Sequence, residues 1–124
     1  MIYLGIDYGK KKIGLSLAED IIAQPLKVVP NKESSFQEIA QICTLQSVKK
    51  IIIGLPEGPL AEEIKKFSNR IALLTSLPIE FESETLTTQE AIGRMIAAGK
   101  SRKSRQLKED AAAAAIILQN YLNR

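Results

Sequence analysis

The sequence predicts a single mixed α/β domain over residues 1–124, with three antiparallel strands extended by two parallel ones. Three observations predict it. The chain opens with three strand-like runs whose links are too short for anything but antiparallel neighbours. Each of the two later strand runs follows a stretch of helical periodicity, the pattern of a crossover to a parallel strand. And 124 residues, 45% of them hydrophobic, suffice for one core that buries roughly two thirds of the unfolded surface, but not for two domains. The expected order is βββαβαβαα.

The first strand, Ile2 to Asp7, is joined to the second, Lys12 to Ala18, by a turn containing Gly9-Lys10-Lys11-Lys12. In the second strand Ile13, Leu15 and Leu17 fall on one face, and Gly14, Ser16 and Ala18 on the other. A face made of small residues implies that something packs closely against it. Glu19-Asp20 leads to a third strand, Ile21 to Val29, broken at Pro30-Asn31. Ser34 with Gln37 reads as a capping box for a helix reaching about Val48, its inner stripe being Phe36, Ile39, Cys43 and Ser47. Lys49 to Leu55 is a continuous run rich in β-branched residues, the composition of a strand buried on both faces. Leu60, Ile64, Phe67, Ile71 and Leu74 recur at helical spacing, predicting a helix over 60–76 that stops before Pro78. Ile79 to Glu82 is the last strand. Thr87 with Glu90 caps a helix to Ala98, Gly99 suits the left-handed position after it, and a basic loop follows. The final helix, Leu107 to Leu122, places Leu107, Ala111, Ala114, Leu118 and Leu122 on one stripe, and its alanines suit it to cover the small face of the second strand.

Composition narrows the chemistry. The chain has no histidine, which removes the commonest general base and the commonest transition-metal ligand. One cysteine, Cys43, permits neither an internal disulfide nor a cysteine-based zinc site, and reads as packing. Apolar stretches such as Ala111 to Leu118 fall far short of a bilayer span, so the expectation is a soluble cytoplasmic protein with no membrane partner. Net charge is only +3 but uneven. No acid occurs between Ala91 and Lys108, where Arg94, Lys100, Arg102, Lys103, Arg105 and Lys108 stand, so the remaining residues sum to −3. With Lys10-Lys11-Lys12 as a second cluster, this is the footprint of a protein that meets a polyphosphate backbone.

Three acids fall at the ends of predicted elements: Asp7 after the first strand, Glu84 past the last strand, and Asp110 in the first turn of the final helix. Singly, Asp7 reads as a turn former, Glu84 as a loop acid, and Asp110 with Glu109 as a complement to the helix dipole. Together they read differently. Asp110 lies one position from the Ala111/Ala114 stripe, and if that helix packs beside the first strand it approaches Asp7. Carboxylates so placed repel unless a divalent cation lies between them, and Mg²⁺ favours a few carboxylates plus water and substrate phosphate.

The segments Gly5-Ile6-Asp7-Tyr8-Gly9, Lys12-Ile13-Gly14-Leu15-Ser16, Ile53-Gly54-Leu55-Pro56, Glu84-Thr85-Leu86-Thr87-Thr88-Gln89-Glu90-Ala91 and Asp110-Ala111-Ala112-Ala113 with Ile116-Ile117-Leu118-Gln119 resemble, in order and over nearly the whole length, the YqgF family. Those proteins are RNase H-like nucleases described as Holliday junction resolvase-like and as nucleases of pre-16S ribosomal RNA. The resemblance implies an RNase H-like fold in a bacterial cytoplasmic protein, with Asp7, Glu84 and Asp110 as catalytic residues and metal ligands. The chain departs from the pattern twice: Ser83-Glu84-Thr85 stands where the family reads Asp-Glu-Arg, and Glu57-Gly58-Pro59 is shorter than the family's loop. Glu82, on the same strand face as Glu84, is a candidate replacement ligand.

The reaction expected is hydrolysis of a phosphodiester with Mg²⁺ or Mn²⁺, water being the nucleophile. Lys10, Lys11, Lys12, Lys100, Arg102, Lys103 and Arg105 would hold the backbone of an RNA precursor or of branched DNA, with the protein a monomer or weak homodimer. Two rivals share these residues. Asp7-Tyr8-Gly9 with Gly14 also looks like the phosphate-binding turn of the actin, Hsp70 and sugar kinase superfamily, but those folds close two such domains around a nucleotide. The other rival is a nucleic-acid-binding module without catalysis.

Overall fold

The computed structural model describes residues 1–83 and 102–124, with residues 102–110 described only as helical backbone. Its elements are β1 (Ile2–Tyr8), β2 (Lys12–Glu19), β3 (Ile22–Pro30), α1 (Glu33–Leu45), β4 (Val48–Leu55), α2 (Leu60–Thr75), β5 (Ile79–Ser83) and α3 (Arg102–Leu122). One five-stranded sheet has the order β3-β2-β1-β4-β5. The pairs β1–β2 and β2–β3 are antiparallel, while β1–β4 and β4–β5 are parallel, as the sequence predicts. The helix expected from Thr87 to Ala98, with Gly99 after it, lies outside the described residues.

The strand alternation sorts side chains into two layers. Leu4, Ile6, Ile13, Leu15, Ile51 and Ile53 point to the layer shared with α1 and α2, where Ile39, Cys43, Ile64, Phe67 and Ile71 close the larger core. Each fully buried aliphatic side chain there contributes about 1.5–3 kcal/mol. On the opposite face Tyr3, Ala18 and Ile52 pack against Ile117 and Leu118 of α3.

The docking of α3 is set by small residues. A Cβ at Gly5 would stand 2.8 Å from the Ala114 carbonyl oxygen and 2.8 Å from Leu118 Cβ, and closer still to Ser16 Oγ. Ser16, fully buried, donates its hydroxyl to that same Ala114 oxygen at 2.8 Å. Further along, the Gln119 amide clips onto the β2–β3 hairpin, accepting from Ala23 N at 2.9 Å and donating to Ile21 O at 2.9 Å. The alanine run therefore covers the small face of β2, as expected.

Several boundaries differ from the sequence reading. The helix α1 opens at Glu33 after Lys32, which makes no side-chain cap, so Ser34–Gln37 is not a capping box. Ser35 is buried instead and donates to the Pro30 carbonyl. The same helix stops at Leu45 rather than Val48, because Ser47 turns left-handed at φ 55° and is exposed; Val48 already belongs to β4. Asp20 and Ile21, not Glu19 and Asp20, form the second hairpin, with Asp20 at φ 69°. In α2, Leu74 is 41% exposed and Ser68 is buried in the stripe. The largest difference is α3, which begins at Arg102 rather than Leu107, so that Arg102, Lys103 and Arg105 are helical and not in a loop.

Two outcomes follow from this packing. Gly5→Ala should lower stability by about 1–3 kcal/mol, read as a reduced urea midpoint, because the backbone and Leu118 Cβ cannot both withdraw. Burial pushes the Cys43 thiol up from 9.0 to about 11. Unfolding therefore releases its proton above pH 9, so this contribution to stability is complete below 9 and is lost as pH rises through about 11; thiol-reagent labelling at pH 8.5 should track global unfolding.

Candidate active site

The odd-numbered residues of β1, namely Tyr3, Gly5 and Asp7, face α3. Asp7 is half-buried and lies opposite Gly14 in the β1–β2 ladder. On its other side the parallel register pairs Ile6 with Ile53, so the next step carries Asp7 beside Gly54. Both neighbours on this face are glycines.

The helix α3 runs antiparallel to β1. Tyr121 packs beside Tyr3 with ring centroids 6.1 Å apart, while Leu118 and Ala114 bracket Gly5. Four residues of helix rise about 6 Å, and two residues of strand about 6.6 Å. One turn before Ala114, the helix backbone at position 110 therefore comes level with Asp7. This position is the third turn of α3, not its first, so the reading of Asp110 as a complement to the helix dipole falls away. Glu84 lies outside the described residues, directly after β5. Among the described residues no three Asp, Glu, His or Cys side chains converge on a metal position; of the three predicted acids, only Asp7 has a described side chain.

The strand β5 sends Ile79 and Phe81 toward the larger core and Glu80 and Glu82 toward α3. Glu80 is satisfied: Lys50 Nζ donates to its Oε1 at 2.7 Å and to Tyr121 Oη at 2.8 Å. These hydrogen bonds hold the Glu80 carboxyl below and the Lys50 ammonium above their ordinary ranges. Glu82 differs. Its side chain is 12% exposed, and Arg124 Nη2 lies 2.5 Å from its Oε2, yet that buried oxygen receives no aligned hydrogen bond. The pair is thus a close ion contact rather than a directed hydrogen bond.

At the same end of the sheet, the β1–β2 turn presents Lys10, Lys11 and Lys12, all exposed. Gly9 is required in the turn, since a Cβ there would meet the Lys12 carbonyl oxygen at 2.6 Å. Asn31 holds the turn in place, donating its side-chain amide to Gly9 O at 2.7 Å and its backbone N–H to Lys11 O at 2.9 Å. The sequence reading took Pro30-Asn31 only as a strand breaker, and no local pattern announces this long-range clamp. Tyr8, next to Asp7 but on the other face, donates its hydroxyl to Glu63 at 2.8 Å. Burial, reinforced by Glu63, raises its pKa. The helical backbone of residues 102–105 continues about 8–12 Å beyond the level of position 110, carrying Arg102, Lys103 and Arg105 past that end of β1. Lys100 lies outside the described residues. Two cavities among the described residues, of about 310 and 370 Å³, are lined one by Cys43, Thr44 and Leu77 and the other by Leu17, Ile22 and Leu26, away from Asp7.

This architecture is the RNase H-like fold of junction-resolving nucleases. The solved structure titled "T. thermophilus RuvC in complex with Holliday junction substrate" matches with a TM-score of 0.62 at 16% identity, over 98% of this chain and 94% of that one. The fowlpox virus resolvase, in a structure with substrate Holliday junction DNA, matches with a TM-score of 0.67 at 10% identity, over 99% and 97%. The chain belongs to the RuvX family, described as Holliday junction resolvase, which matches residues 1–124. A relative from Anaeromyxobacter sp. (strain Fw109-5) is 37% identical over 133 residues, covering 99% of this chain and 97% of its own. One from Clostridium kluyveri (strain ATCC 8527) is 37% identical over 134 residues, covering 100% and 98%. Both carry the name "Putative pre-16S rRNA nuclease". The expected family and the expected hydrolase class are borne out, and the two-domain kinase alternative falls.

Proposed function

We propose that this chain is a divalent-metal-dependent endonuclease that hydrolyses phosphodiester bonds of structured RNA, acting on the 5′ end of pre-16S ribosomal RNA in the cytoplasm. The observation that carries the reading is the docking of α3 on Gly5, which brings position 110 level with Asp7 on the glycine-flanked face of the sheet. The names of the relatives support the choice of RNA.

The residues fit a hard cation. Without histidine, and with Cys43 buried in the opposite layer, the donors at this end of the sheet are oxygens, the set that Mg²⁺ or Mn²⁺ takes. Asp7, Glu84 and Asp110 would hold the ion, which when bound ionises water and offsets charge on the leaving oxygen. The protein's own share is positioning. Glycines 14 and 54 flank Asp7 without side chains of their own, the Asn31 clamp would present Lys10, Lys11 and Lys12 to phosphates, and Arg102, Lys103 and Arg105 would do so from α3, with Lys100 before them. Phosphate contacts of this kind fix the backbone without reading bases. Branched DNA is the second reading, favoured by the junction complexes of the fold neighbours.

Asp7→Asn should lower Mg²⁺-dependent cleavage of a pre-16S 5′-end transcript by roughly 10³-fold while leaving binding in place; wild-type cleavage by this variant would defeat the proposal. A protein that binds the transcript but cuts nothing in Mg²⁺ or Mn²⁺ would instead be a binding module, and cleavage of a four-way junction alone would select branched DNA. Replacing Lys10 and Lys11 by alanine should reduce the slope of log affinity against log salt by roughly 1.5, measured by fluorescence anisotropy; an unchanged slope would remove the turn from the interface.

A further inference from the structure

Resting on that reading of the substrate, we propose that Asn31 is a positioning residue for nucleic-acid binding, whose side-chain amide and backbone N–H together lock the β1–β2 turn in the orientation that turns Lys10 and Lys11 toward phosphates. The turn has little of its own to fix it. It links two strands through Gly9 and three lysines, side chains that carry much rotamer entropy, and Lys10 and Lys11 are exposed. Asn31 reaches the turn from 22 residues away. Its Nδ2 donates to Gly9 O at 2.7 Å and its backbone N–H to Lys11 O at 2.9 Å, so one residue holds both ends of the Gly9–Lys11 segment. In a trans peptide the C=O and the following N–H point opposite ways, so drawing the Gly9 oxygen to Asn31 aims the Lys10 N–H away from it. Two carbonyl oxygens that would repel a phosphate are occupied in the same step.

The asparagine is not spent on the helix it precedes. Asparagine is among the best helix-capping residues, yet the N-cap of α1 is Lys32, which makes no side-chain hydrogen bond, and the Asn31 amide is turned to the distant turn instead. Its own backbone is anchored on the following side, where Pro30 O accepts from Lys32 N at 3.1 Å and from the Ser35 hydroxyl. At the root of the turn, Tyr8 is fixed by the Phe67 ring, 4.8 Å between centroids, and by donating its hydroxyl to Glu63 at 2.8 Å. The turn is thus held between two fixed points, directly after the strand end that carries Asp7. A cation on a backbone ordered beforehand loses less freedom on meeting a phosphate than one on a loose turn. The clamp therefore acts on affinity through the lysines, with no contact of its own to the nucleic acid.

The experiment is a double-mutant cycle on the full chain, read by fluorescence anisotropy of a pre-16S 5′-end transcript in EDTA, with thermal melts as a folding control. Asn31→Ala should weaken binding roughly three- to tenfold and lower the slope of log affinity against log salt. In a chain already carrying Lys10→Ala and Lys11→Ala it should change neither. A merely structural asparagine would weaken both backgrounds equally, or lower the melting temperature and leave affinity alone, and either result overturns the inference. If the lysine replacements weaken binding and Asn31→Ala does not, the inference falls and the nuclease proposal stands. If the lysine replacements have no effect, the turn is outside the interface and the inference falls with it, while loss of cleavage in Asp7→Asn still supports the nuclease. A wild type that does not bind the transcript removes both. Should Asn31→Ala fail to fold, Asn31→Ser decides, since its hydroxyl is too short to reach Gly9 O; equal loss in both backgrounds, or none in either, overturns the inference.

Discussion

The close approach of α3 to the first two strands is the constraint on which the site depends. Gly5 has no side chain, so the helix backbone reaches the sheet at Ala114. That approach lets a buried serine satisfy itself on the helix carbonyl: Ser16 Oγ has no water to turn to, and Ala114 O accepts it at 2.8 Å. The bond also fixes the rotation and the height of the helix. Because the rise of one helical turn nearly matches two residues of strand, fixing Ala114 over Gly5 fixes position 110 beside Asp7. A bulkier contact would move the entire helix and with it the backbone at position 110.

Two acids on this face, Glu80 and Glu82, are compensated differently. Near the start of the parallel strands, Lys50 bridges Glu80 and Tyr121 and also lies 5.3 Å from the Tyr121 ring centroid, so the acid there has its cation built in. One step further, at Glu82, the cation is the half-exposed Arg124 in poor alignment. At the C-terminal end of β1, Asp7 stands between glycines, and Asn31 holds the lysine turn in place.

The mixture of three antiparallel and two parallel strands, both crossovers, the small face of β2 and the position of Asp7 were all legible in the sequence, because strand alternation and helical periodicity are local. The helix starts were less legible. Ser34 looked like a cap because serine often caps, but here Ser35 reaches the Pro30 carbonyl across a tertiary turn, and tertiary hydrogen bonds leave no local pattern. The start of α3 was hidden for a related reason: Arg102, Lys103 and Arg105 lack an apolar stripe, so a run of good helix formers read as a charged loop. The Asn31 clamp and the row of Asp7, Gly54 and Glu82 depend on register between distant strands, which no spacing within one segment encodes.

The aromatic residues bear on how such a protein selects a substrate. All six are accounted for by packing: Tyr3 with Tyr121, Tyr8 and Phe36 with Phe67, and Phe81 against the larger core. None is exposed. Residues 84–101 contain no aromatic side chain, so they cannot add a stacking platform for bases. Single-stranded nucleic acid is normally gripped by such stacking, and its lack shifts recognition onto phosphates. The proposed cation array, lysines on one turn and arginines on a helix, would respond to where phosphates converge, and phosphate density is highest where backbones fold back or cross. The selectivity such a chain can have is therefore for the shape of a nucleic acid rather than its letters. That demand is common to a folded precursor end and a branched junction.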